Sequence, residues 1–102
     1  MFIVHSTFEL PNENKIDEVI AIYQNRSRLV DQSEGFLDFK LLQNSKRLTS
    51  ITVQLTWAKK EHYLAWVRSE SFKVIHALEK KYPDQDLASI IPKVDQFEVV
   101  AT

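Results

Sequence analysis

The segment that decides the fold is Thr49-Ser-Ile-Thr-Val-Gln-Leu-Thr-Trp57, followed without a break by A-K-K-E-H-Y-L-A-W-V-R-S-E-S-F-K-V-I-His76. Its first part alternates strictly. Ile51, Val53, Leu55 and Trp57 share one face and Thr52, Gln54 and Thr56 the other, which is the period of a half-buried strand. The alternation then stops and helical spacing begins. Tyr63, Trp66 and Val67 fall on one face of a helix over 60–67. Ser69 or Ser71 can cap a second helical piece over 72–81. The apolar phase shifts between the two pieces, so a break is expected near 68–71.

Working outward, Phe36–Gln43 reads as a strand with Leu37, Phe39 and Leu41 on one face. The polar turn 44–47 joins it to the Thr49–Trp57 strand as an antiparallel hairpin. Upstream, Phe2–Leu10 is a strand with Val4, Ser6 and Phe8 on one side and Ile3, His5 and Thr7 on the other. Pro11 ends it, and Asn12 or Asn14 can cap a helix over 15–30. Ile16, Val19, Ile20, Tyr23, Ser27 and Val30 form the buried stripe of that helix. Gly35, the only glycine, closes the loop before the hairpin. Downstream, 84–92 reads as a loop and 94–101 as the last strand.

The order β-α-β-β-α-β defines an α+β, ferredoxin-like antiparallel sheet with its helices on one face, built as a single domain over residues 1–102. The opposite sheet face carries Ile3, Phe36 and Leu42. An apolar sheet face calls for a partner, so a homodimer with two sheets packed face to face is expected.

Composition narrows the function. Thirteen basic against fourteen acidic residues give a formal net charge of −1, with no basic excess for a nucleic-acid surface. No cysteine is present, which excludes disulfides, thiolate metal sites and thiol catalysis. No apolar run approaches the roughly 20 residues that span a bilayer, and the N-terminus lacks the pattern of a signal peptide. The expectation is a cytoplasmic protein with no membrane partner. Dinucleotide fingerprints, P-loops, nucleophile elbows and H-E-x-x-H are all missing.

Three histidines remain. His62 lies among Lys59, Lys60 and Glu61 and reads as a solvated surface residue. His76 follows Phe72 by one helical turn and adjoins Ile75, so its ring looks toward apolar space. It is either a core histidine satisfied by a carbonyl or the axial ligand of haem iron. Trp66 and Phe72 are the residues that could wall a haem slot. Trp66 precedes His76 by ten residues, about 15 Å along an unbroken helix. Tyr23 either lines the slot or packs in the core.

The combination of Gly35-Phe36, a strand ending in Trp57, and Y-L-A-W-V-R-S-E-S-F-K-V-I-H resembles the antibiotic-biosynthesis-monooxygenase superfamily, and within it the haem-degrading monooxygenases of the IsdG type. The resemblance runs from Phe2 to Val99. It implies a dimeric α+β barrel with a haem slot between each sheet and its helices. Haem would be substrate and cofactor together, and external electrons and O₂ would open the porphyrin ring. By position, His76 would be the axial ligand to the haem iron and Trp66 would press on the haem face. A first-strand asparagine of that family, a donor on the distal side, corresponds to Ser6 here. The shorter hydroxyl puts degradation in question more than binding. A one-residue register slip would instead turn His5 or Thr7 inward. Arg26, Lys80 and Lys81 are candidates for the haem propionates. Two other readings stay open: a cofactor-free monooxygenase of the same superfamily acting on an aromatic substrate, and a non-catalytic haem- or small-ligand-binding dimer.

Overall fold

A computed structural model describes residues 1–102. The elements are β1 (Phe2–Glu9), α1 (Ile16–Gln24), β2 (Phe36–Gln43), β3 (Ser50–Trp57), α2 (Lys60–Val67), α3 (Glu70–Lys80), α4 (Gln85–Ala88) and β4 (Lys93–Glu98). Short 3₁₀ turns occupy Glu13–Lys15 and Leu29–Gln32. The four strands form one sheet in the order β2-β3-β1-β4, and every neighbouring pair is antiparallel. β3 slots between β1 and β2, so each helical crossover spans one strand and both helical layers land on the same face. The ferredoxin-like α+β architecture read from the sequence is the one observed.

Register decides what faces the helices. Phe2 pairs with Trp57, Val4 with Leu55, Ser6 with Val53 and Phe8 with Ile51. These apolar positions build two separate core clusters. One gathers Phe2, Val4, Val30, Trp57 and Trp66, and the other Leu10, Val19 and Ile51. Only nine residues of the 102 are buried, so the space between helices and sheet is filled at its two ends and open between them.

Several expectations are corrected. α1 ends at Gln24, six residues short of Val30. The Asn25 amide donates to the Ala21 carbonyl at 2.8 Å and its own N–H turns back on the same turn, which closes the helix. Val30 still reaches the core, delivered by the 3₁₀ turn rather than by a helical stripe. Leu37 does not share a face with Phe39 and Leu41. The ladder shifts between Phe36 and Asp38, so Leu37 is the bulged residue and is 52% exposed. That bulge turns Phe36 toward the helices, where it meets Trp57 edge-on at 5.3 Å, so Phe36 belongs to the core and not to the outer face. The stretch expected to be loop over 84–92 holds the one-turn helix α4, capped by the Asp84 carboxylate.

His62 is the other correction. It is half-buried rather than solvated, with its Nδ1 enclosed and unpartnered. Its ring fills the space beside Gly35, where an added Cβ would meet Nδ1 at 2.0 Å. Gly35 also adopts φ +77°, which side chains disfavour. The α2 start can close on the β2 start only because residue 35 has no side chain. Replacing Gly35 with Ala should therefore destabilise the fold by about 2–4 kcal/mol in urea unfolding. Adding His62→Ala should recover the steric part and leave the backbone part.

Candidate functional site

The open middle of the molecule is a cavity of about 590 Å³ with mostly apolar walls. This is the size range of small-molecule sites, about 300–1,000 Å³. Its floor is the sheet: Val4, Ser6 and Phe8 from β1, Phe39 from β2, Val53 and Leu55 from β3. One wall is Ile22 and Tyr23 of α1 with the polar segment that follows it. The other is Tyr63, Trp66, Phe72, Ile75, His76 and Glu79 of α2 and α3. Ser6, Tyr23, Trp66, Phe72 and His76, the five residues singled out in the sequence, all border this one space.

The α2–α3 break sets the second wall. Ser69 Oγ donates to the Trp66 carbonyl at 2.6 Å and accepts from the Phe72 N–H at 3.2 Å. One hydroxyl thus ends α2 and caps α3. Trp66 and Phe72 meet edge-on at 5.8 Å, and Phe72 contacts the His76 ring at 4.2 Å between centroids. Trp66 is buried, while the His76 side chain is 50% exposed. His76 is not sealed among core side chains. Its Nδ1 lies 3.8 Å from a Glu79 carboxylate oxygen, which leaves Nε2 without a protein partner close by. Loss of hydration holds the Glu79 carboxyl above its ordinary range, against the opposing pull of His76. A smaller annex of about 260 Å³ adjoins His76 and Glu79 and is bordered by Lys80. Lys81 borders neither space.

The floor settles the register. Ser6 faces the cavity. His5 and Thr7 point to the other face, where His5 Nε2 meets Gln54 Oε1 at 2.8 Å and the Thr7 and Thr52 hydroxyls meet at 2.8 Å. Tyr23 stacks near Phe8 and Phe39, with centroids 6.3 and 6.0 Å away. Burial, with a lesser push from the Glu79 charge, raises its phenol to about 12. Tyr23 is therefore a neutral hydroxyl at any physiological pH.

Of the polar rim after α1, Arg26 is expected from the sequence, but Arg28 and the irregular turn that brings both to the cavity are not. Arg26 donates twice to Asp31, at 2.8 and 3.2 Å, and its guanidinium covers the Phe39 ring at 3.9 Å. Arg28 borders the cavity from a left-handed backbone, φ 61° and ψ 18°. Such a conformation costs a non-glycine residue about 1–2 kcal/mol. The signal for Arg28 is the polar Asn25-Arg-Ser-Arg28 run, which interrupts the helical pattern before Val30. The far side is tied to α1 by the Lys15–Asp84 ion pair and by the Tyr82 hydroxyl donating to Glu18 at 2.8 Å.

No group of three or more His, Asp or Glu residues gathers to hold an ion. A metal held here would have one protein ligand, His76, and would bring its remaining ligands with it, as a metalloporphyrin does. An apolar cavity of about 590 Å³ with one accessible imidazole on its wall fits such a group.

An α+β sheet-and-helix domain of this topology, with an apolar cavity between its layers, is a ferredoxin-like fold. The family model for antibiotic biosynthesis monooxygenases matches residues 1–78, and the chain belongs to that family. It is accordingly an enzyme of the oxidoreductase class. It is similar to a heme-degrading monooxygenase of Shouchella clausii, 32% identical over 73 residues that cover 70% of this chain and 67% of the relative. Its fold is similar to that of MhuD, a heme-degrader of Mycobacterium tuberculosis solved with two hemes in its active site. There the TM-score is 0.78 and the identity 24%, over 100% of this chain and 98% of that one. It is also similar to SnoaB, a cofactor-independent oxygenase of Streptomyces nogalater. There the TM-score is 0.74 and the identity 14%, over 99% of this chain and 94% of that one. No helix is long and apolar enough to cross a membrane.

The raised Tyr23 phenol has a measurable consequence. A folded-state value above the ordinary 10.0 adds stability below pH 10 that is lost as pH rises toward 12. The loss should approach about 2–3 kcal/mol. Tyr23→Phe should remove that part of the pH dependence, read as the difference between wild-type and variant unfolding free energies from pH 9 to 12.

Proposed function

We propose that this chain binds haem and acts as a haem-degrading monooxygenase, with residues 1–102 forming one domain. The observation that carries the proposal is the half-exposed His76 imidazole on an apolar cavity walled by Trp66 and Phe72. The 32% identical heme-degrading relative supports it. Haem bound there would be substrate and cofactor at once, and its iron would activate O₂ with electrons from an external donor to open the porphyrin ring.

The protein's part is binding, orientation and exclusion of water. His76 would hold the iron through Nε2, since Nδ1 faces Glu79. Phe72 restrains rotation of the imidazole by its contact at 4.2 Å. Ser69 fixes the Trp66 main chain through its carbonyl, burial and the edge-on Phe72 ring hold the indole, and the indole would bear on the macrocycle from the helical side. Ser6 borders the cavity from the sheet, opposite the helical wall, and its hydroxyl would be the donor offered to the ligand from that side. Tyr23 adds a second neutral donor in the floor-to-wall corner. The apolar remainder strengthens each of these polar contacts by excluding water.

The same reading calls for a homodimer and a cytoplasmic location with an external electron donor. Ile3 and Phe97 face each other across β1 and β4 on the sheet side away from the helices, and Phe97 is 48% exposed. Leu42 adds a further exposed apolar side chain on the same outer face, across the sheet on β2, and a second copy would cover them. A second reading is favoured by Ser6, Tyr23 and His76 as the polar groups of the slot. These could orient a phenolic substrate that reacts with O₂ without a cofactor.

Hemin titration followed at the Soret band separates these readings. Wild type should give a saturable shift, and His76→Ala should weaken it at least about tenfold. Reductant in air should then bleach the band and release iron. A band that survives reductant would leave a binding protein only, and no shift would leave the cofactor-free reading. In sedimentation, wild type should run as a dimer and Phe97→Asp should shift it toward monomer.

A further inference from the structure

We infer that Arg28 is a specificity residue that selects ligands carrying an ionised carboxylate at the cavity mouth. The inference rests on the haem reading and adds to it the group that reads the ligand's polar edge. The charged residues around the cavity are Arg26, Arg28 and Glu79. Glu79 lies beside His76. Arg26 is spent: both Asp31 oxygens accept from it, and its guanidinium is fixed over Phe39. Arg28 approaches the same carboxylate no closer than 3.8 Å and keeps 65% of its side chain exposed. Two guanidiniums share the one Asp31 carboxylate, which Arg26 hydrogen-bonds and Arg28 meets only at 3.8 Å, so the rim keeps one net positive charge and Arg28 is its more exposed, more loosely held carrier.

Its backbone carries the second half of the argument. Arg28 is the one non-glycine residue of the chain with positive φ. Glycine or asparagine would hold that turn without the strain. Strain retained at a cavity wall points to a use for the side chain. A guanidinium presents paired donors that match a carboxylate in geometry as well as charge. An apolar, planar ligand seated among Trp66, Phe72 and the sheet floor would leave its carboxylates at the solvent edge, within the sweep of a long, half-free arginine. Haem has that chemistry.

The test compares hemin with its neutral dimethyl ester. Both are titrated into wild type, Arg28→Gly, Arg28→Asn and Arg28→Lys at low ionic strength. Wild type should bind hemin about fivefold or more tightly than the ester. Arg28→Gly and Arg28→Asn should bind the two alike, with ester affinity unchanged and thermal midpoints no lower than wild type. Arg28→Lys should keep part of the preference. A hemin preference that survives in Arg28→Gly and Arg28→Asn overturns the assignment while leaving the haem reading intact. Folded wild type that binds neither compound overturns both.

Discussion

Trp57 is the contact on which the arrangement depends. Its side chain is wholly buried, and it ends β3 opposite Phe2 on one side and Phe36 on the other. It meets Phe36 edge-on and lies 6.1 Å from Tyr63 of α2. One indole therefore ties three strands to the helical layer at one end of the sheet. Ile51, six residues back on the same face, does the same for the other end with Leu10 and Val19. Burial of large apolar side chains is the main favourable term in a small domain, and here it is concentrated at two anchor points. The layers are held apart between them, and the cavity is the consequence.

This placement explains why the cavity walls can be strained and polar. The rim after α1 contains a left-handed arginine, and the helical wall contains a half-exposed histidine beside a carboxylate. Neither would survive in a close-packed core. The anchors at Trp57 and Ile51 allow the middle of the structure to be optimised for a ligand instead of for packing. The Gly35–His62 contact belongs to the anchor as well, because it lets the start of α2 close against the start of β2.

Much of this was legible along the chain. The alternation of Ile51 to Trp57, the break around Ser69 and the βαββαβ order follow from periodicities that local residues impose on their own. Tyr23, Trp66, Phe72 and His76 stand out as large or titratable side chains on apolar helix faces, whereas Ser6 is singled out only by the family resemblance, at the place of a first-strand asparagine. Four expectations differ from the structure, each for a physical cause. The stretch 84–92 reads as loop because the single turn Gln85–Ala88 is too short to show a helical period. The polar run 25–28 reads as helix because helical spacing continues to Val30 by coincidence. The bulge at Leu37 left no mark in the pattern and moved Phe36 from one face of the sheet to the other. His62 read as solvated because its sequence neighbours are charged, while its spatial neighbour is a glycine.

By itself the chain determined the order and type of its elements, the absence of thiol chemistry and the clustering of aromatic residues near a single histidine. These depend on composition and on spacings within a turn or a strand. Only the tertiary structure decided that Ser6 rather than His5 or Thr7 faces the cavity, that Arg26 is hydrogen-bonded to Asp31, and that Arg28 is held only loosely by the same carboxylate and stays largely exposed at the rim. The reason is that strand register and ion-pair choice arise between segments distant in sequence or joined by an irregular turn. No local periodicity encodes which partner is reached first.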